Sequence, residues 1–470
     1  MRMHEPPFRM LRRPEPRPLA GQRVLVLGLG DSGLSAARWI AAQGGRVRVA
    51  DTREAPPGAT ALAARVPGAE LRRGAFDAAL LDGADLVCIS PGLSLALPVV
   101  RDAVARGLPV LGDIELFAWH VRASSAPSKV IAITGTNGKT TVTALAGHLL
   151  RSAGVDAEVA GNISPAALDA LREREGQAPA AWVLELSSYQ LETTWSLAPD
   201  VATFLNLTED HLDRYAGLEH YGAAKARIFA GARDQVVNRD DAAAAACFTP
   251  APDAWTFGLG VPAGERDFGV RFHDGRDWLA RGGERLLPAE ELPIAGAHNV
   301  ANALAALALC AAAGVEPGRV VDGLRSFRGL PHRVERVRVR RGVDWVDDSK
   351  GTNVGAAVAA MRGLGRTVVL IAGGEGKGQD FAPLAAAAAD HASRVLLIGR
   401  DAPAIAAALK EQGVAYETCA SLEDAVRRAA AIAEPGEAVL LSPACASFDQ
   451  FRDYKDRGER VARAVAALEA

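Results

Sequence analysis

Apolar residues along the chain alternate between two patterns. Short aliphatic runs at 23–27, 46–50, 85–90, 131–134, 182–184, 201–205, 344–346, 367–372, 394–398 and 438–441 each end at a cluster of Gly, Ser, Asp, Asn or Glu. Most of the stretches between them carry apolar residues at helical spacing, as in Val142, Leu145 and Leu149. Strands alternating with crossover helices predict an α/β chain of mostly parallel sheets, with its loops gathered at one sheet edge. The stretch 253–291 breaks the rhythm with Gly and alternating residues and reads as a β-ribbon, and the apolar run 303–315 reads as a buried helix, too short to span a bilayer.

Pro-containing polar stretches at 124–128 and at Leu330-Pro331 interrupt the pattern, so three domains are expected at 21–122, 123–329 and 330–470. Residues 1–20, rich in Arg and Pro and without an apolar leader, are expected to form a disordered tail. A length of 470 residues allows each domain its own core. The net charge of −3 supplies no global basic field, so neither nucleic acid nor membrane insertion is expected and anion binding must be local. The five widely spaced cysteines fit reduced core thiols in a cytoplasmic protein rather than disulfides or a zinc site.

The richest stretch is Ile131-Ala132-Ile133-Thr134-Gly135-Thr136-Asn137-Gly138-Lys139-Thr140-Thr141, a β-branched run leading through a Gly-rich turn into a helical pattern. Glycines let backbone N–H groups approach anionic oxygens, and a helix start offers unpaired donors to phosphate. Lys139 is placed to reach β/γ-phosphates, and the Thr140 hydroxyl suits Mg²⁺. Two residues separate Gly135 from Gly138, whereas the general phosphate loop has four at that point, so the common pattern is not met. An ordinary Gly-containing turn is the alternative; ATP binding is the working expectation.

Near the start, Gly28-Leu29-Gly30-Asp31-Ser32-Gly33 follows a strand and opens a helix, and Asp51 ends the next strand about twenty residues on. Alone, this spacing suggests NAD or merely a tightly packed turn. The following Thr52-Arg53 and the later Ser90-Pro91-Gly92 favour a nucleotide diphosphate over a nicotinamide, so no NAD is expected. Glu185 and His211 end or follow strands beside the phosphate loop, where Mg²⁺ would sit, although either could serve in a surface pair or a loop cap. Lys225, flanked by alanines in a helix expected over 221–230, would ordinarily be solvated. Asn299 and Asn302 share one face of a helix start and suit either a capping network or a polar ligand. In the last block, Lys350, Lys377 and Ser447 on strand-end loops are candidates for holding a carboxylate-bearing substrate.

Taken together, Thr134 to Thr141, Gly161-Asn162, Glu185-Leu186-Ser187-Ser188, Glu209-Asp210-His211-Leu212-Asp213 and Ala297-His298-Asn299 resemble the Mur ligases, the ATP-dependent amide-forming enzymes of peptidoglycan precursor synthesis. The shortened phosphate loop is that family's own form. Folylpolyglutamate synthases share the central domain, and the flanks decide between them. Asp51-Thr52-Arg53, Leu330-Pro331-His332-Arg333, Asp348-Ser349-Lys350-Gly351-Thr352-Asn353 and Ser442-Pro443-Ala444-Cys445-Ala446-Ser447 look like the glutamate-adding branch.

The resemblance implies a Rossmann-like N-terminal domain, a central P-loop mononucleotide-binding domain and a C-terminal open α/β domain. It implies ATP, Mg²⁺ at one or two sites, and the small-molecule partners UDP-N-acetylmuramoyl-L-alanine and D-glutamate, in a monomer. Lys139, Glu185, His211 and Lys225 would be catalytic, with Thr140, Glu185, His211 and a carbamylated Lys225 on the metals. Residues Gly135, Thr136, Asn137, Gly138, Lys139, Thr140, Thr141, Asn299, Asn302, Arg333 and Asp348 would contact ATP. Asp31, Ser32, Thr52, Arg53, Ser90, Gly92 and Asn162 would serve the UDP substrate. Thr352, Lys377, Ser447 and Tyr454 would hold glutamate; Tyr454 departs from the family, which is familiar with an aromatic lacking a hydroxyl there.

Overall fold

A computed structural model describes residues 7–174, 176–294 and 296–469. Three sheets follow one another along the chain. The first is wholly parallel and contains β1 (Arg23–Leu27), β2 (Arg46–Asp51), β3 (Glu70–Arg73), β4 (Leu86–Ile89) and β5 (Val110–Leu111), in the order β3-β2-β1-β4-β5. The order reverses between β1 and β4, which opens a crevice at their carboxyl ends. Gly28, Asp31, Ser32, Asp51 and Ser90 all sit at that edge.

The central sheet holds β6 (Lys129–Thr134), β7 (Ala157–Gly161), β8 (Ala181–Glu185), β9 (Val201–Phe204), β10 (Asp234–Asn238), β11 (Trp255–Phe257), β12 (Asp267–His273), β13 (Arg276–Arg281) and β14 (Glu284–Pro288), in the order β14-β13-β12-β11-β10-β9-β6-β8-β7. Its first part is parallel, and β12, β13 and β14 form an antiparallel meander, the ribbon expected from the alternating stretch. Helix Ala297–Ala312 packs on this sheet, and residues from Ala303 to Cys310 are all fully buried. A helix apolar on every side satisfies its surface only inside a protein.

The third sheet comprises β15 (Glu335–Arg340), β16 (Val343–Asp347), β17 (Val368–Gly373), β18 (Ala392–Ile398), β19 (Tyr416–Thr418) and β20 (Ala438–Leu441), in the order β15-β16-β20-β17-β18-β19. Only β15 is antiparallel to its neighbour. Strands β15 and β19 are too polar to stand out in the sequence.

Two expectations need correction. Residues 1–6 of the expected disordered tail lie outside the described residues, but from Pro7 onward the segment is ordered: Pro7–Met10 forms a 3-10 turn, and Phe8, Leu11 and Leu19 are buried. Isolated apolar side chains among Arg and Pro suffice because a neighbouring core receives them, with Phe8 and Leu11 joining Leu25, Val99 and Tyr221. The helix expected over 221–230 instead runs Leu218–Ala226 and tightens into a 3-10 turn at Arg227–Phe229. No helix among the described residues is long and apolar enough to cross a membrane.

At the fingerprint turn, a Cβ on Gly33 would lie 1.9 Å from the Gly28 carbonyl oxygen. Helix Asp31–Ala42 thus approaches β1 as closely as its backbone permits. Gly33→Ala should destabilise the protein by about 1–3 kcal/mol, the usual cost of overpacking. An unchanged urea midpoint would show that the turn relaxes freely.

Candidate active site

A cavity of about 570 Å³ lies between the carboxyl edges of the central and third sheets. Its floor is the phosphate loop between β6 and helix Lys139–Ser152. The loop is held from the strand beside it. Asn206, just after β9, accepts from Asn137 N at 2.8 Å and donates to Asn137 O at 3.0 Å, and its carbonyl accepts from Thr136 N. Gly138 has φ of 79°, and a Cβ there would meet Asn302 Oδ1 at 2.7 Å. Asn302 in turn donates to Asn299 Oδ1 at 3.1 Å, so the two amides form one network against the loop.

Lys139 curls back and donates to the carbonyls of Gly135 at 2.9 Å and Thr136 at 2.8 Å. Its ammonium is held below its ordinary pKa by burial, against the raising influence of Glu185 and Asp210. Lys225 is fully buried rather than solvated, and donates to the same Gly135 carbonyl at 2.7 Å. Burial, then the nearby Lys139 charge, pushes its pKa well below the ordinary lysine value.

Glu185 ends β8 and is buried. Its Oε1 accepts from Asn162 Nδ2 at 2.7 Å, whereas Oε2 is buried with no hydrogen-bond partner. A buried carboxylate oxygen left without a donor is costly and calls for a cation. The Gly161-Asn162 pair has a steric reason: a Cβ on Gly161 would lie 2.3 Å from the Glu185 carbonyl oxygen. His211, at φ of 56°, packs against the Tyr189 ring with centroids 5.0 Å apart. Burial holds its imidazole well below the usual value, with Asp210 opposing and Lys377, Lys225 and Lys139 assisting, so the ring is neutral and keeps a free lone pair at neutral pH.

The third sheet supplies the opposite wall. Arg333 stands between His332 and Val334, with φ of 62° and 50°, and its Nη2 donates to Thr140 Oγ1 at 2.5 Å. Asp348 accepts from Ser442 Oγ at 2.6 Å, and burial raises its carboxyl to about 7. Asn353 donates to Asn137 Oδ1 at 3.0 Å and to Asp210 Oδ2 at 3.2 Å. Lys377 Nζ is 3.8 Å from Asp210 Oδ1, and Lys350 Nζ lies 4.1 Å over the Tyr454 ring. Thr141, Thr352, Ser447 and Tyr454 complete the lining.

The N-terminal candidates are not part of this cavity. Asp51 is also fully engaged: it accepts from Arg53 N, Nε and Nη2 and from Leu29 N, and the Arg53 hydrogen bonds draw its carboxyl down to about 2. In this arrangement it has no acceptor free for a ribose in the usual dinucleotide manner. Ser90 Oγ donates to the Gly28 carbonyl at 3.1 Å. This edge reaches the main cavity through Arg214, which donates to Pro91 O at 3.1 Å, pairs with Glu192 at 2.6 Å and lies 4.1 Å over the cavity-lining Tyr189 ring.

Asn206, Asp210, Asn353 and Arg457 carry much of this geometry, yet sequence reasoning assigned them no role. Asn206 could have been suspected as an amide directly after a strand run, and Asn353 as the N-cap of helix Val354–Gly363. The fully buried Arg457 joins Ser349 to the Cys445 carbonyl, and nothing in its local sequence marks it.

Three family profiles match the chain: Mur ligase MurD-like, N-terminal domain, over residues 22–112; Mur ligase middle domain over 133–310; and Mur ligase, glutamate ligase domain, over 332–445. The UDP-N-acetylmuramoylalanine–D-glutamate ligase of Nitrosospira multiformis is 52% identical over 457 residues, covering 96% of this chain and 97% of that one. Its counterpart in Aromatoleum aromaticum is 54% identical over 448 residues, covering 94% and 96%. Among solved structures, the UDP-N-acetylmuramate-alanine ligase MurC of Thermotoga maritima aligns over 94% of this chain and 98% of its own with a TM-score of 0.59 at 20% identity, a likeness of fold.

The Asp348 shift sets a pH dependence. Its folded-state pKa of about 7 lies above the ordinary 3.8, so its contribution to stability is full below about pH 4 and is lost as pH rises through 7. Asp348→Asn removes that loss. Its stability relative to wild type should therefore rise by roughly 1–4 kcal/mol between about pH 4 and pH 8, at about 1.4 kcal/mol per unit. Urea denaturation at both pH values measures this, and a flat difference would contradict the burial argument.

Proposed function

The chain belongs to the Mur ligase family, and on that premise we propose that it joins D-glutamate to UDP-N-acetylmuramoyl-L-alanine at the expense of ATP. The observation that carries this reading is the single cavity in which Lys139 and the phosphate loop face Arg333, Lys377 and Ser447 of the third sheet. A phosphate donor on one wall and an anion-holding set on the other suit transfer to a carboxylate followed by attack of an amine. The very similar relatives named for this reaction support the choice of substrates.

A terminal carboxylate oxygen of the UDP substrate attacks the γ-phosphorus of ATP, the bond to the β-phosphate oxygen breaks, and ADP leaves. The neutral amine of glutamate then attacks the acyl-phosphate carbon, expelling phosphate and losing a proton as the amide forms. Lys139 and Arg333 neutralise charge developing on the transferred group, with Thr136, Asn137, Gly138, Thr140 and Thr141 lining the phosphate end. Asn299, Asn302 and Asp348 serve the rest of ATP, and Asn162 serves the acceptor side. Thr352, Lys377, Ser447 and Tyr454 hold the two glutamate carboxylates, while Asp31, Ser32, Thr52, Arg53, Ser90 and Gly92 serve the uridine diphosphate at the first sheet's edge. Contacts from the third sheet to the phosphate loop, through Arg333 and Asn353, would keep water from the acyl phosphate.

The residues also fit Mg²⁺: an unpartnered buried carboxylate oxygen on Glu185, a neutral His211 and the Thr140 hydroxyl form an oxygen and nitrogen donor set beside the phosphate loop. When bound there, Mg²⁺ would neutralise phosphate charge as the phosphoryl group moves. The lowered pKa of Lys225 favours the neutral amine, the form that can add carbon dioxide to yield a carbamate and a proton. Its product would put an anion beside Lys139, where two lysine nitrogens now crowd one carbonyl.

ADP should form over many turnovers only when UDP-N-acetylmuramoyl-L-alanine, D-glutamate and Mg²⁺ are all present. Turnover without one substrate, or equally well with L-glutamate, diaminopimelate or an alanine dipeptide, would overturn the assignment. Lys139→Ala should lower kcat by at least about a hundredfold, the scale of losing one preorganised charge contact. Lys225→Ala should also lose activity and regain part of it with added formate or acetate, and absence of rescue would count against the carbamate while leaving the ligase reading intact.

A further inference from the structure

A second cavity, of about 710 Å³, opens at the amino ends of β1 and β2, on the side of the first sheet opposite the fingerprint turn. Six arginines line it: Arg23, Arg38, Arg46, Arg48, Arg65 and Arg172. Glu70 is the one carboxylate of the lining. The proposed ligase reaction uses none of them.

Local carboxylates balance this charge only in part, and Arg23 lies 3.9 Å from Asp85. Asp169 is shared by Arg38 at 2.8 Å and Arg172 at 3.6 Å, and Glu70 by Arg48 at 2.8 Å and Arg72 at 2.5 Å. Arg46 and Arg65 have no ion pair or side-chain hydrogen bond among the described residues. The Nε of Arg38 is buried without any acceptor. Like charges gathered around a concavity, with a buried donor unpaired, are stabilised by an anion in the space between them.

We propose that this cavity binds a small molecule bearing several phosphate groups. Guanidinium forks match phosphate oxygens two at a time, and several unbalanced cations call for a ligand with more than one negative charge. Val47, Val66 and Pro67 add apolar wall, and the volume is that of a drug-sized ligand site. Arg172 comes from the central domain's helix Ala167–Glu173, so the ligand would bridge that domain and the first one across the Arg38–Asp169 pair. The inference is independent of the ligase reading.

Tripolyphosphate titrated calorimetrically into the full protein, with ADP and UDP saturating, should bind once per chain. The same heat should persist in Lys139→Ala, which weakens the phosphate loop. Binding should weaken at least about tenfold in Arg46→Glu/Arg65→Glu, a change of about 1.4 kcal/mol, and less in Arg46→Gln/Arg65→Gln, which serves if the charge reversal misfolds. Unchanged binding in both double variants, or no heat at millimolar tripolyphosphate, would overturn the site. Citrate binding as tightly as tripolyphosphate would overturn its assignment to phosphate.

Discussion

Two lysine side chains share one backbone carbonyl: half-buried Lys139 and fully buried Lys225 both donate to the oxygen of Gly135. Keeping both of them charged side by side in so little water would be costly, so the more deeply buried Lys225 is pushed toward its neutral form. Partial relief comes from Glu185 and Asp210, and further relief from the low pKa of Lys225 itself. The remainder is an electrostatic demand that only incoming negative charge can meet. The phosphate loop is thus preorganised for an anion, and the orphaned Glu185 oxygen beside it is preorganised for a cation.

The rest of the centre is arranged to keep that imbalance in place. Asn206 holds the short loop in shape, Asn302 fills the space that a Cβ on Gly138 would need, and Asn162 orients Glu185. From the third sheet, Arg333 and Asn353 reach the loop directly, and the left-handed residues on either side of Arg333 show backbone conformations that ordinary side chains adopt only when the surroundings require them. Buried Arg457 ties together the two strand-end loops carrying Ser349 and Cys445, which fixes the wall from which Asp348 and Ser447 project.

The first sheet keeps the dinucleotide backbone design while occupying its acidic residue internally. Its fingerprint turn is present, with Gly33 pressed against the Gly28 carbonyl, yet Asp51 is neutralised by Arg53 and by Leu29 N. The acidic residue that would hold a ribose becomes a support for the turn, and a cation is presented at the edge. At the opposite end of the same sheet, the six arginines gather positive charge that shared carboxylates balance only in part.

The sequence by itself determined the alternation of strands and helices, the three sheets, the phosphate loop and the set of polar residues at strand ends, because hydrophobic periodicity and turn chemistry act over a few neighbours. Family motifs added roles for Lys139, Glu185, His211 and Arg333. Only the tertiary structure decided that Lys225 is buried, that Asp51 is engaged, that Phe8 and Leu11 join a core, and that Asn206, Asn353 and Arg457 hold the site together. Each of these depends on contacts between residues far apart in the chain, where burial and neighbouring charge change what a side chain does, and no local pattern records such contacts.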